Sequence, residues 1–90
     1  MLLEMKKFGN ILNSRPTGME AVLRAKQIIN GSDVSEPIIL DFVGVEVLTP
    51  SFADEFVSGI KKNYQNRKII IQGYTNNLVL KETLSALHLI

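Results

Sequence analysis

The chain has 90 residues, a formal net charge of +1 and 46% hydrophobic residues, enough for one domain with its own core and too little for two. Basic residues scattered along a near-neutral chain do not make the stripe of a nucleic-acid binder, and a chain without cysteine has no disulfide, thiolate metal site or cysteine nucleophile. No leader pattern and no apolar run near the ~20 residues of a membrane helix is present, so a cytoplasmic protein with no membrane or nucleic-acid partner is expected.

Leu2–Phe8 reads as a first strand. Gly9-Asn10 then separates it from the apolar pair Ile11-Leu12, and a two-residue Gly-Asn loop predicts a hairpin. Asn13–Thr17 reads as a loop. Thr17-Gly18-Met19-Glu20 fits a capping box at a helix start. Ala21, Val22, Ala25, Ile28 and Ile29 follow at helical spacing, opposite Glu20, Arg24 and Gln27. Asn30-Gly31 ends that helix.

Ile38-Ile39-Leu40 opens a short apolar run that reads as a strand buried on both faces. Asp41 interrupts it, which predicts a buried carboxylate held by loop N–H groups. After Val45–Leu48, Thr49-Pro50-Ser51 marks a second helix start, with Asp54 and Glu55 suited to its positive end. Phe52, Phe56, Ile60 and Tyr64 repeat every four residues and form its apolar stripe. Lys68–Tyr74 contains Ile69-Ile70-Ile71, another buried strand. Thr75-Asn76-Asn77 caps a third helix whose stripe is Leu78, Leu80, Leu84 and Leu87. The order hairpin, helix, strand, helix, strand, helix predicts an α/β domain with parallel central strands. Its ligand-facing loops are Val43–Ser51 and Tyr74–Asn77, beyond the strand C-terminal ends.

Catalytic signals are sparse. His88 is the only histidine. There is no HExxH, GxSxG or phosphate-loop signature. Asp54 and Glu55 are adjacent on a helix, so their carboxylates diverge by about 100°. No cofactor or metal is expected, and no catalytic residue. The hydroxyls at Thr49 and Ser51 remain, as helix caps or as acceptors of a phosphate.

Ile39-Leu40-Asp41-Phe42-Val43-Gly44-Val45 followed by Ser51-Phe52-Ala53-Asp54-Glu55-Phe56 resembles the STAS-like family of unknown function. Asn13-Ser14-Arg15 with Gly18 resembles that family's Ser-Arg loop. The family is similar in turn to STAS domains, the anti-sigma-factor antagonists, which carry Asp-Ser-Ser-Gly at a helix start. Counted from the strand aspartate Asp41, the resemblance puts Ser51 at their phosphorylated serine. The signature is altered here to Thr49-Pro50-Ser51-Phe52. The aspartate is missing, and Phe52 stands for glycine, where it is expected to crowd or recruit a partner.

The resemblance implies a STAS-like sheet flanked by about three helices, and a bacterial-type regulatory role. It also implies a protein partner, either a histidine-kinase-like ATPase or an anti-sigma-type protein. The expected partner-binding or phosphoacceptor residues are Ser51, Thr49, Phe52, Asp54, Glu55, Arg15 and Asp41. Two other classes stay open. One is a small-ligand or anion-binding domain using the helix N-termini at Thr49–Phe52 and Asn76–Leu78, with Arg15 as charge partner. The other is an enzyme using Asp41, Asp54 or Glu55. The apolar Ile90 leaves room for homo-oligomers.

Overall fold

A computed structural model describes residues 1–90. Strand β1 (Leu2–Glu4) runs into a short 3-10 turn over Met5–Phe8, then β2 (Ile11–Leu12) and α1 (Arg15–Ile29). Strands β3 (Ile38–Asp41) and β4 (Val47–Leu48) precede α2 (Pro50–Asn63), and β5 (Ile69–Gln72) precedes α3 (Leu78–Ala86). The strands form two parallel sheets, one in the order β1-β3-β5 and one of β2 with β4. This is the α/β architecture with parallel central strands that the sequence predicts.

The predicted N-terminal hairpin does not form. The 3-10 turn over Met5–Phe8 ends the first strand early, and β1 and β2 never pair. Strand β1 pairs parallel with β3, with Leu3 opposite Leu40, and β2 pairs parallel with β4, with Ile11 opposite Val47. Met5 is fully buried within the turn. Burying it turns the chain out of the larger sheet into the smaller one, so Gly9-Asn10 joins two sheets.

The first helix also starts earlier than the Thr17 capping box predicts. Ser14 is its N-cap, and its hydroxyl accepts from the Thr17 N–H at 3.3 Å. Pro16 occupies the first turn, where its missing N–H costs nothing.

One cluster of 19 buried apolar residues joins the inner face of the larger sheet to all three helices. Leu3, Ile38 and Leu40 enter it from the strands, Ala25 and Ile29 from α1, Phe52, Phe56 and Ile60 from α2, and Leu80 and Leu84 from α3. The central strands are not buried on both faces as predicted. Ile38 and Leu40 are buried while Ile39 between them is partly open, and Ile69, Ile70 and Ile71 are all half-buried. Strand side chains alternate faces, and the core lies on only one of them.

Helices α1 and α2 run side by side in the same direction, because each follows one of the two parallel strands β2 and β4. Their contacts keep step along both helices. A Cβ on Gly18 would lie 3.1 Å from the Glu55 Cβ, and one on Gly59 would lie 2.8 Å from the Val22 Cγ2. At the far end the Tyr64 hydroxyl donates to the Asn30 Oδ1 at 2.7 Å. The two glycines let the helix backbones approach closely.

Candidate functional site

Parallel strands deliver the N-termini of α1 and α2 to the same end of the molecule. Thr49 joins them. Its hydroxyl accepts from the Phe52 N–H at 3.4 Å, which caps α2, and from the Ser14 N–H at 3.3 Å. Two positive helix ends therefore lie together. Ser14 has φ 76°, a left-handed conformation that L-residues rarely adopt. The bond to Thr49 and its own cap to Thr17 hold it there.

The charged residues of this end form one cluster. The Arg15 Nη1 donates to Asp54 Oδ2 at 2.9 Å and to Glu55 Oε1 at 3.2 Å. Asp54 first, then Glu55, raises the already high pKa of that guanidinium. The fork joins the first residue of α1 to the second turn of α2. All three side chains are solvent-accessible, so the pairs add little to stability. Ser51 is half-buried in the first turn of α2. Its hydroxyl has no hydrogen-bond partner within the chain, because Thr49 already serves the cap.

Beside this cluster, Ile11 is 61% exposed and its register partner Val47 is 38% exposed. They form an apolar pair on the outer face of the small sheet that feeds both helices. The pair stands out only faintly in the sequence. Its signal is the two-residue alternation in Ile11-Leu12 and Val47-Leu48, where the leucines are buried and their neighbours are open. That signal is legible only once Val47-Leu48 is read as a strand.

The structure brings Arg15, Thr49, Ser51, Asp54 and Glu55 together, and it removes Phe52 from the group. Phe52 is fully buried. Its ring stacks on Phe56 with centroids 5.8 Å apart and planes at 6°. The expectation that Phe52 crowds or recruits a partner is therefore overturned. At the third position of α2 its side chain falls on the stripe with Phe56 and Ile60, which faces the core.

Asp41 lies apart. It ends β3 opposite Gln72 on β5, and its Oδ1 accepts from the Val43 N–H at 3.2 Å. The predicted turn-shaping role holds, but the carboxylate is half-exposed rather than buried, because it points to the uncovered face of the sheet. Gly73, at φ 82°, makes room for it. A Cβ there would collide with Asp41 Oδ1 and lie 2.7 Å from the Val43 nitrogen.

At the other predicted loop the Asn77 side chain fills the N-terminus of α3. Its Oδ1 accepts from the Leu80 N–H at 3.2 Å, and its Nδ2 donates to the Glu46 carbonyl at 3.2 Å. The adjacent hollow, lined by Phe42, Val45, Gly73 and Asn76 among others, has a volume of about 220 Å³. That is smaller than the roughly 300–1,000 Å³ usual for a small-molecule site, whereas a wide-open hollow between Tyr74, Leu78 and Ile90 measures about 660 Å³. No group of three or more His, Cys, Asp or Glu residues is placed to hold a metal ion, and no helix is long and apolar enough to cross a membrane.

A family model described as a STAS-like domain of unknown function matches residues 21–78. The match runs from the first turns of α1 to the start of α3. It includes Asp41 and the Thr49–Glu55 segment and leaves Arg15 just outside. No curated protein and no solved structure matches the chain.

Proposed function

The chain belongs to the STAS-like family of unknown function, and we propose that it is a regulatory protein–protein interaction module without catalytic activity of its own. Its docking surface is the paired start of α1 and α2. The apolar pair Ile11 and Val47 supplies a contact centre, and Arg15, Asp54 and Glu55 supply a charged rim, the usual anatomy of an interface. The proposed partner is a histidine-kinase-like ATPase or an anti-sigma-type protein.

The observation that carries the reading is the unpartnered Ser51 hydroxyl beside the Arg15 fork. Phosphorylation of Ser51 adds about −1.5 to −2 charge. The helix N–H groups favour that charge. Asp54, one turn on, opposes it. Arg15 is the nearby cation able to leave its carboxylates for the phosphate, so the modification re-pairs the rim and changes what it binds. The fold is left intact, because Ser51 supports no structural hydrogen bond.

The small-ligand reading has weaker support. Asn77 occupies one helix end, and two carboxylates occupy the arginine that would hold an anion at the other.

The test is binding of candidate ATPases from the source cell to wild-type protein, Ser51→Glu and Arg15→Glu. It is combined with mass-spectrometric mapping after incubation with ATP. Phosphate on Ser51 and at least tenfold weaker binding by both variants is the expected result. Equal binding by all three proteins would remove this surface from the interaction.

A further inference from the structure

The outer face of the larger sheet carries an ordered pattern that the helix-start surface does not use. Leu2, Ile39 and Ile70 are register partners across β1, β3 and β5, so they form one row over the full width of the sheet. Glu4, Asp41 and Gln72 form the next row toward the strand C-terminal ends. Lys68, two residues before Ile70, lies on the same face on the other side of the apolar row. Leu2 is 49% exposed, and Ile39 and Ile70 are half-buried. None of the three belongs to the core or packs against it. Parallel sheets are almost always covered on both faces.

We propose that this face is a homodimer interface, covered by the same face of a second copy of the chain. The charge pattern selects that occupant. Acids lie on one side of the apolar row, with Glu4 and Asp41 side by side and mutually repulsive, and a lysine lies on the other. A two-fold axis through Ile39, in the plane of the face and across the strands, lays the apolar row on itself and exchanges the two charged rows. Position 68 of one copy then faces Gln72 of the other, one strand spacing of about 4.8 Å from Asp41. Aligned sheets pack about 10 Å apart, a gap that a lysine side chain and an opposing carboxylate side chain close between them. An axis along the strands would instead set Asp41 on Asp41. The face is thus self-complementary for one two-fold and not the other, as an isologous interface requires. Helices α1 and α2 pack on the opposite face, so each copy keeps its helix-start surface open.

Sedimentation equilibrium on the full chain tests the proposal. Wild type is expected to dimerise with concentration. Lys68→Glu, at an exposed position, should raise the dissociation constant about tenfold. Lys68→Glu combined with Gln72→Lys should restore it. Those two positions lie four residues apart on one strand, too far to pair within a copy, and they meet only across this axis. Ile39→Cys in the cysteine-free chain should cross-link to its mate through a short bismaleimide, whereas Ser58→Cys on α2 should not. Circular dichroism checks that each variant is folded. A wild type still monomeric at about 1 mM, a dimer indifferent to Lys68→Glu, or a double variant as weak as the single one would overturn the proposal.

Discussion

Ser14 shows how one residue can be held in a conformation its chemistry disfavours. At φ 76° and ψ 152° the backbone is one that glycine adopts freely and serine does not. Two opposed effects meet there, the strain and the cap to Thr17. Glycine as an N-cap loses only a few tenths of a kcal/mol relative to serine, while relief of strain gains about 1 kcal/mol or more. Ser14→Gly should therefore stabilise the protein by roughly 1 kcal/mol, and Ser14→Ala, which loses the cap and keeps the strain, should destabilise it by about 1 kcal/mol. Urea titration of the three proteins checks the order. Tyr64 gives a pH signature. Burial raises its pKa above the ordinary phenol value, with Arg67 opposing weakly. A raised folded pKa contributes stability that is complete below the unfolded value of about 10 and is lost as pH rises through the folded one. Wild type should lose more stability than Tyr64→Phe above about pH 10, as read by thermal melts across that range. A loss of equal size in both would place the alkaline transition elsewhere.

The two parallel helices depend on glycine where side chains would separate them. The Gly59 Cα approaches Val22, whose β-branched side chain has little freedom to turn aside. Gly59→Ala gains about 1 kcal/mol in helix propensity and loses about 1–3 kcal/mol to overpacking. A net destabilisation of about 1 kcal/mol is expected. Adding Val22→Ala opens the same space, so the double-mutant cycle should show favourable coupling of about 1 kcal/mol. Strict additivity would mean that the helices do not meet there. Element boundaries follow the same packing logic. Leu78, Leu80, Leu84 and Leu87 read as the third stripe; Leu80 and Leu84 are buried and Leu87 packs against the core, whereas Leu78 is exposed. The helix is tied down at Asn77, and by the Thr83 hydroxyl donating to the Leu48 carbonyl at 3.2 Å, so it meets the core from Leu80 onward and its first residue, Leu78, is left outside.

At the scale of the whole molecule a single apolar cluster reaches every helix and the larger sheet, and the Cα radius of gyration is 11.9 Å. That is close to the ~12 Å expected for a folded domain of this length. Elements that share one core should unfold in a single transition. Urea curves followed by far-ultraviolet circular dichroism and by tyrosine fluorescence should superimpose. Two separated midpoints would mean that the small sheet with its helix starts melts apart from the rest. Such local melting would matter for function, because the proposed docking surface sits on the shortest strands of the fold.

Local chemistry determined much of this protein from the sequence alone. The three helices, the strands β3 and β5 and the Thr49 start of α2 all follow from apolar spacing and capping residues that act within a few positions. The Leu-Asp-Phe strand with the Ser-Phe-Ala-Asp-Glu helix start also carried the family resemblance. The tertiary structure alone decided what depends on residues far apart in the chain. A Gly-Asn pair signals a turn but not which strands flank it, so the N-terminal hairpin gave way to two parallel pairings with partners some 36 positions away. Helical spacing places Phe52 on a stripe with Phe56, but the family signature suggested an exposed position, and only packing put the ring inside. Arg15 met Asp54 and Glu55 because two parallel strands launch two helices from one end, a juxtaposition that no local pattern encodes.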